Sequence, residues 1–299
     1  SVLARGEVSQ PRELATPGML PLFVDQEQSL KLETGEAERR AALARWLTDQ
    51  SNPLTWRSIV NRVWLYHFGR GIVDTPNDFG RMGSNPTHPE LLDWLAVEFR
   101  DGGEFLEQQS FKSLHRLIVT SRVYRQSSQH DSNHAAKDAE NRYLWRMERR
   151  RLEAEEIRDS ILSVSGALDE TMGGPGFRLF ALERPEHSPH YEYHKFDPSD
   201  SATPRRSIYR FIVRSQPDPW MTTLDCADSS QSTPKRNETL TSLQALSLLN
   251  NRFNLVMAER FAARLRQETD DPGDQVRRGF ELVTQREPAK EEIDEMVDY

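Results

Sequence analysis

The sequence predicts a mainly α-helical protein with long irregular loops and at most one small β element. Apolar residues recur every three or four positions in several segments, which is the spacing of one helix face. Residues typical of helix caps stand directly before some of these segments. A single segment has the composition of a strand. With 299 residues, the chain is long enough to bury the core of one or two domains.

The first two helices are predicted over residues 35–50 and 54–68. Each segment carries its aliphatic and tryptophan residues on one helical face. The dipeptide Asn52-Pro53 separates them, because a residue before proline is disfavoured in the helical conformation. Gly69 is a natural end for the second helix, since glycine accepts the left-handed conformation found after many helices.

A third helix is predicted to begin at Thr87-His88-Pro89-Glu90. Thr87 is the expected cap, Glu90 has the spacing of a capping box, and proline is tolerated in a first turn. The next helix is predicted over 111–124. Residues 127–141 are predicted to be a loop because they contain almost no large apolar residue.

A long helix is predicted over residues 146–168. It would place Arg149 four residues before Glu153 and Arg151 four residues before Glu155, which is the spacing of intrahelical ion pairs. The arginines would then be neutralised along their own helix. This argues against a nucleic-acid-binding patch at this point.

The remaining elements are one strand and three helices. SIYRFIVRS, residues 207–215, is the best strand candidate. Thr241 and Gln244 form a capping-box pattern that opens a helix reaching about residue 266. Two more helices are predicted over 273–285 and from 288 onward.

The predicted organisation is an irregular N-terminal segment, 1–34, followed by a helical domain, 35–299. Within the domain, the proline-containing polar loop 183–204 separates two candidate halves, 35–182 and 205–299. The chain begins at Ser1 rather than at methionine, so it is expected to be part of a longer protein.

Composition excludes several classes of function. The chain carries 39 basic and 47 acidic side chains, a net charge of −8, which disfavours binding to nucleic acid or anionic lipid. No apolar run approaches the roughly 20 residues that a membrane-spanning helix needs. Cys226 is the only cysteine, so the chain forms no internal disulfide, no cysteine-based zinc cluster and no CxxCH haem attachment.

The segment NRVWLYHFGRGIVDTPNDFG, residues 61–80, invites two ligand hypotheses that the sequence rejects. GRG follows a helix rather than a strand and lacks the third glycine of a dinucleotide loop. The acidic residues do not match the calcium loop of an EF-hand. Asp74 and Asp78 are better interpreted as turn residues, although an irregular metal site stays open. Asn61 or Arg62 is expected to point inward, with Asp74 or Asp78 as a partner for the arginine.

Polar residues around the predicted helix ends define a candidate polar site. Its members are Asn61, Arg62, Asp74, Asp78, His88, Asp225 and Arg236. A hydrolase that uses carboxylates as acid and base would draw on a related set, because such enzymes need two carboxyl groups beside the scissile bond. That set is Asp74, Asp78, His88, Glu90, Asp93, Asp225 and Asp228.

Two other segments carry residues with chemical potential. His187, His190 and His194 have spacings that would let them bind zinc or copper, but the neighbouring prolines and tyrosines favour a solvated aromatic loop. We therefore predict no metal. Cys226 lies between Asp225 and Asp228, and nearby carboxylates raise the pKa of a thiol rather than activate it.

Seven blocks, taken in order, resemble one known family. They are RGEVSQPRELATPG, NPLTWRSIVNRVWLYHFGRGIVDTPNDFG, PTHPELLDWLAVEF, FKSLHRLIVTSRVYRQSS, NRYLWRMERRRLEAEEIRDSIL, RRSIYRFIVR and TPKRNETLTSLQALSLLNN. The family is planctomycete-specific domain one, also called domain of unknown function fifteen fifty-three, and the resemblance spans nearly the whole chain. It implies a C-terminal domain of large exported proteins that carry a cytochrome c-like domain upstream.

The resemblance implies a periplasmic or otherwise exported location, with haem in the other domains of the polypeptide and no cofactor within this chain. It transfers no catalytic residue, because no activity is established for the family. Two hypotheses follow. The first is a binding or assembly module whose partner is a protein, a carbohydrate or other domains of the same polypeptide. The alternative is a hydrolase-type enzyme acting on polysaccharide through aspartate, glutamate and histidine groups.

Overall fold

The structure, a computed structural model, describes residues 2–14, 35–184 and 188–299. Twelve α-helices and one two-stranded antiparallel sheet lie within these residues, which confirms the predicted mainly helical class. The chain forms two compact units, Ser1–Arg150 (unit 1) and Arg151–Tyr299 (unit 2). The boundary between them precedes the polar loop 183–204. Of the predicted N-terminal segment, residues 15–34 lie outside the described part.

Six helices belong to unit 1. They are α1 (Glu36–Leu47), α2 (Pro53–Phe68), α3 (Pro89–Asp101), α4 (Phe111–Thr120), α5 (Arg122–Arg125) and α6 (Ser132–Ala135). The predicted break between α1 and α2 is confirmed, because the side chain of Asn52 caps α2 by accepting from Leu54 N–H and Pro53 occupies the first turn. Gly69 ends α2 in the left-handed conformation, with φ of 74°.

Three details of unit 1 differ from the prediction. Thr87 does not cap α3, because its hydroxyl is hydrogen-bonded to Ile72 O and His88 Nδ1. The helix predicted over 111–124 is interrupted at Ser121, whose side chain starts a new turn by accepting from Tyr124 N–H. The predicted loop 127–141 contains α6, a single turn capped by the carboxylate of Asp131. In each case a hydroxyl or carboxylate competes for backbone groups locally.

One continuous apolar core organises unit 1. Helices α2 and α3 supply most of it, and the segment after α2, together with α4, completes it. The ring of Trp56 lies 6.5 Å from that of Phe99, and Trp64 stacks on Phe68 at 4.3 Å. The buried residues are Trp56, Val60, Val63, Trp64, Phe68, Ile72, Val73, Leu92, Leu95, Ala96, Phe99, Leu106, Leu114 and Ile118.

Unit 2 contains six helices and the sheet. They are α7 (Ala154–Val164), β1 (Ala181–Glu183), β2 (His190–Glu192), α8 (Pro219–Thr223), α9 (Ser242–Asn250), α10 (Arg252–Glu268), α11 (Pro272–Thr284) and α12 (Lys290–Asp298). Strands β1 and β2 pair with Leu182 opposite Tyr191. The predicted helices at 273–285 and from 288 onward correspond to α11 and α12.

The helix predicted over 146–168 is wrong in its first half, because α7 begins only at Ala154. The side chain of Glu156 accepts from Glu153 N–H, which marks Glu153 as the residue before the first turn. Arg151 instead donates to Gln244 Oε1 at 2.8 Å, so the predicted ion pairs Arg149/Glu153 and Arg151/Glu155 are replaced by long-range contacts. Tertiary hydrogen bonds outweigh the helix propensity of this segment.

The strand predicted over 207–215 is also wrong. Ser207–Tyr209 form a turn of 3-10 helix, and the segment makes a single bridge between Phe177 and Arg210. The backbone of Ser207 donates to the carboxylate of Asp159 rather than to a neighbouring strand. The N–H group that would donate to a neighbouring strand is therefore already bonded to a side chain.

The capping box at Thr241 is confirmed, since Thr241 Oγ1 accepts from Gln244 N–H while Gln244 Oε1 accepts from Thr241 N–H. The single helix predicted beyond it is two helices, because Asn251 ends α9 and caps α10 by accepting from Phe253 N–H. No described helix has the length and apolar character needed to cross a bilayer.

Two small apolar clusters, rather than one core, surround α7. The first contains Ala154, Met221 and Leu224. The second contains Leu162, Phe253 and Met257. Trp220 packs against both clusters. The charged residue Arg158 is also on α7 and is as deeply buried as either cluster, at 2% exposure.

Candidate functional site

Of Asn61 and Arg62, the residue that points into unit 1 is Asn61. It is fully buried on α2, where it donates through Nδ2 to Val73 O at 3.0 Å and accepts through Oδ1 from Val73 N–H at 2.8 Å. Its amide thus satisfies both backbone groups of one buried residue in the segment after Gly69. A Cβ on Gly71 would lie within 3 Å of this amide, so glycine is needed there. Asn61 is a structural lock.

The other candidates around this turn bind neighbouring residues. Arg62 donates to Asn77 Oδ1 at 2.6 Å, and Arg70 pairs with Asp74 at 3.1 Å. Asp78 accepts from Gly80 N–H at 2.8 Å, which is the contact of an Asx turn. Asp74 is therefore a carboxylate partner of an arginine, as predicted for this turn. These groups shape the turn.

The candidates near α3 are also engaged locally. His88 is hydrogen-bonded to Thr87, and its ring meets that of Tyr143 edge to face. Asp93 pairs with Arg57 at 2.6 Å, and Glu90 is exposed in the first turn of α3. None of these contacts brings two carboxylates together.

The two candidates in unit 2 hold the segment that leads into α7. Asp225 accepts from the backbone and the hydroxyl of Thr239 and from Gln244 Nε2, and Arg151 lies 3.5 Å away. These donors hold the pKa of Asp225 below its ordinary value although burial opposes them. Arg236 pairs with Glu153 at 3.4 Å and with Glu155 at 3.1 Å.

A chain of alternating charges continues from Arg236 into the interior of unit 2. Glu155 accepts from Arg236 and from the thiol of Cys226, and Arg210 Nη2 lies 3.6 Å from Cys226 Sγ. Burial and the charge of Glu155 raise the pKa of Cys226, so the thiol is not activated. Arg210 in turn lies 4.0 Å from the carboxylate of Asp218. Asp228 does not belong to this series of contacts, and its carboxylate accepts from Ser230 N–H.

Arg158 is the most deeply buried charge of unit 2. It donates to Thr203 O at 2.8 Å and to Arg205 O at 2.9 Å, and it lies 3.5 Å from Asp159. Its guanidinium lies 4.9 Å from the ring centre of Phe177, a cation–π distance. Burial is the main cause that lowers the pKa of Arg158 to about 10.

A cavity of about 250 Å³ opens beside Arg158. Trp220, Phe196 and Phe253 provide apolar surface, and the polar lining includes Asp218, Arg252 and the phenol of Tyr193. Burial raises the pKa of Asp218, and it raises the pKa of Tyr193 to about 12. Tyr193 donates to Gln216 O at 2.8 Å, so the phenol is fixed as a neutral group.

The histidine segment lies partly at this cavity. His194 lines it and pairs with Glu192 at 3.2 Å, whereas His190 is exposed in β2 and His187 lies outside the described residues. Within 2–14, 35–184 and 188–299, no group of three or more histidine, cysteine or carboxylate side chains has the arrangement of a metal site.

Apart from His194, the residues that line the cavity are not among the candidates that the sequence indicates. Arg158 stands in a helix that is rich in charges, and nothing in its spacing shows that it is buried. The dipeptide Asp218-Pro219 does indicate a helix start, because an aspartate before proline is typical of one. Asp218 caps α8 by accepting from Trp220 N–H. Trp220 follows directly and is the only tryptophan after residue 145.

Comparison with known families identifies the chain. The model of the family described as "PSD1: Protein of unknown function (DUF1553)" matches residues 39–299. The chain belongs to the DUF1553 family. The match covers most of unit 1 and all of unit 2, so the cavity and the charge chain lie within the DUF1553 region. No curated protein and no solved structure matches the chain.

Proposed function

We propose that the chain is a binding module that holds one sugar ring of a carbohydrate partner in the cavity beside Arg158 in unit 2. The observation that carries this proposal is a concave site with aromatic walls and a polar edge, formed by Trp220, Phe253, Asp218, Asn251 and Arg252. Ligand sites in proteins are mostly apolar hollows with a few polar groups that fix orientation. At about 250 Å³, the cavity suits one small ring.

The aromatic residues match the apolar faces of a sugar. The face of an aromatic ring carries negative electrostatic potential, so it attracts the C–H groups on one side of a pyranose. Trp220 and Phe253 lie 5.3 Å apart in an edge-to-face arrangement, which holds both rings at the cavity. Hydroxyl groups of the sugar would then meet the amide of Asn251 and the guanidinium of Arg252.

A small concave site favours a carbohydrate over a protein partner. Stable protein–protein contacts bury on the order of 800 Å² from each partner, an area far larger than one such hollow offers. A sugar chain, in contrast, can place one residue in the cavity and extend along the surface.

Binding is also better supported than hydrolysis. A glycosidase of the usual kind places two carboxyl groups on either side of the scissile bond. Among the described residues that line the cavity, Asp218 is the single carboxylate, and it is occupied as the cap of α8. The remaining acids of the predicted set belong to turns and ion pairs, as described for Asp74, Asp93 and Asp225.

Calorimetric titration with soluble neutral and acidic oligosaccharides tests the proposal. Trp220→Phe, which keeps an aromatic wall, should weaken binding several-fold, and Trp220→Ala should abolish it. Trp94→Ala is the matched control, because Trp94 is a partly exposed tryptophan on α3 of unit 1. Absence of binding by the unaltered protein, or equal losses in the Trp94 and Trp220 variants, would count against the cavity.

The cellular setting forms part of the same proposal. Resemblance to DUF1553 proteins supports an exported module whose polypeptide carries haem in other domains, with those domains as further partners. Fractionation of cells that produce the full-length protein, followed by haem staining, tests this. A haem-free protein retained in the cytoplasm would contradict it while leaving the carbohydrate titration unaffected.

A further inference from the structure

We infer that the cavity of unit 2 selects an acidic sugar, one that carries a carboxylate, over its neutral counterpart. This inference rests on the proposed carbohydrate function and names the class of sugar. The features that favour a carboxylate are the exposed guanidinium of Arg252 and the position of α10 at the cavity.

The lining has more positive than negative charge. Arg158 and Arg252 contribute two guanidinium groups, and Asp218 contributes one carboxylate. His194 adds an imidazole that is already paired with Glu192. Asp197, which pairs with Arg252, and Glu192 add carboxylates beside the lining, so Arg252 is the positive group that a ligand anion could reach by replacing Asp197.

Arg252 is the cation best placed to contact such a ligand. Its guanidinium is 65% exposed and lies 3.7 Å from Asp197, which is also exposed. A surface ion pair of this kind contributes little to stability, so Arg252 can exchange Asp197 for a ligand carboxylate at small cost. Charge-assisted contacts between arginine and carboxylate are among the stronger hydrogen bonds in proteins.

The first turn of α10 also faces the cavity. Asn251, Arg252 and Phe253 all line it, and they form the N-terminus of a helix of 17 residues. The positive end of the helix dipole therefore lies at the same wall as Arg252. Both features stabilise negative charge at one place.

The two buried charges of the lining, Arg158 and Asp218, are also compatible with an anionic ligand. Arg158 is fixed by carbonyl oxygens and lies within the field of Arg210, and burial lowers its pKa to about 10. An anion in the cavity would stabilise this buried cation. Asp218 opposes the ligand, but it accepts from two backbone N–H groups of α8 and lies near Arg210, so much of its charge is already compensated.

The test compares an oligosaccharide of neutral hexoses with the hexuronate oligosaccharide of the same linkage and length, by calorimetric titration of the full chain. The hexuronate should bind at least tenfold more tightly, and its affinity alone should fall as salt rises. Arg252→Gln, which keeps a side chain that can hydrogen-bond to hydroxyl groups, should weaken binding of the hexuronate far more than binding of the neutral sugar and so remove most of this preference. Arg266→Gln is the control, because Arg266 is an exposed arginine of α10 outside the lining.

Each outcome decides between the two proposals. Equal affinity for both sugars overturns the charge selectivity and leaves the carbohydrate function standing. Equal losses in the Arg252 and Arg266 variants also overturn it, because the preference would then reflect overall charge rather than this cavity. Failure of both sugars to bind overturns the carbohydrate function itself. A preference lost only in Arg252→Gln supports the inference.

Discussion

The two compact units are stabilised by different kinds of buried interaction. Unit 1 buries fourteen residues in one apolar cluster, and its deepest polar residue, Asn61, pairs with backbone groups of a single neighbour. In the described part of unit 2, the apolar clusters hold three buried residues each, four further apolar residues are buried outside them, and Arg158 is buried on the same helix as Ala154 and Leu162. Its charged side chains bind one another from Arg236 to Asp218.

This difference is one of interaction type. Hydrophobic burial is non-directional, so unit 1 gains stability without fixing the orientation of polar groups at a surface. Buried charges are directional and costly unless they are paired, so unit 2 depends on the partner of each buried charge.

The largest effect is expected from Leu114→Ala in unit 1. Leu114 is fully buried, and its truncation leaves a cavity in the core, so the free energy of unfolding should fall by about 4 kcal/mol. Hydrogen exchange measured by mass spectrometry would show the loss in peptides of unit 1. Leu43→Ala on α1 is the control, since Leu43 is 47% exposed and should cost under about 1 kcal/mol. Similar losses in both variants would contradict a dominant core in unit 1.

Arg158→Met should produce the next largest effect, and in unit 2. It leaves the carbonyl oxygens of Thr203 and Arg205 without their donor, at a cost of about 3 kcal/mol. Arg277→Met is the matched control, because Arg277 is an exposed arginine paired with Asp274 on α11. Urea unfolding followed by hydrogen exchange in unit 2 would measure the difference. An Arg158 variant as stable as the control would mean that unit 2 does not depend on its buried charge.

Asn61→Ala tests the polar lock of unit 1. Both backbone groups of Val73 lose their partner, so unfolding should become easier by about 2 kcal/mol. Exchange of the Val73 amide proton should accelerate before that of α3. Asn77→Ala removes an amide from the exposed turn and is expected to change stability far less. If Val73 stays protected in Asn61→Ala, the lock is redundant.

The smallest expected effect is on the pH dependence of the stability of unit 1. His67 Nε2 lies 2.7 Å from His115 Nδ1, and burial, His115 and Arg150 together lower the pKa of His67 below 6.5. The folded state thus binds this proton less readily than the unfolded state. The contribution of His67 to the free energy of unfolding should be fully present above about pH 6.5. It should be lost as pH falls through that value toward the folded pKa.

Urea unfolding between pH 8 and pH 5 would measure this slope. His67→Gln should flatten it, whereas His130→Gln, which alters a histidine packed on Trp145, should retain it. A slope unchanged in His67→Gln would show that other groups control the acid response of unit 1.

Local signals in the sequence predicted most of the helices. Asn52 before a proline, Gly69 after an apolar run and the Thr241/Gln244 pair act within one turn, and the structure shows each of them in place. The errors have a different origin. The non-helical course of the chain at Arg151 and the supposed strand at 207–215 involve contacts to Gln244 and Asp159, which are far away in the sequence.

Less of the candidate site than of the fold could be predicted from the sequence, for the same reason. Turn chemistry indicated the roles of Asp74 and Asp78, because their partners lie within a few residues. Arg236 was placed in the candidate polar site by its position before a helix start, whereas its partners Glu153 and Glu155 lie more than 80 residues earlier. Arg158 gave no such signal, since burial of a guanidinium by Thr203 and Arg205 is decided only by the tertiary fold.

The position of Trp220 has an optical consequence. Five of the six tryptophans lie in unit 1, and Trp220 is alone in unit 2. The ultraviolet emission of the intact chain therefore reports mainly on unit 1, and a change confined to unit 2 alters the signal of one fluorophore. A difference spectrum between the chain and its Trp220→Phe variant isolates that fluorophore, which stands at the wall of the cavity.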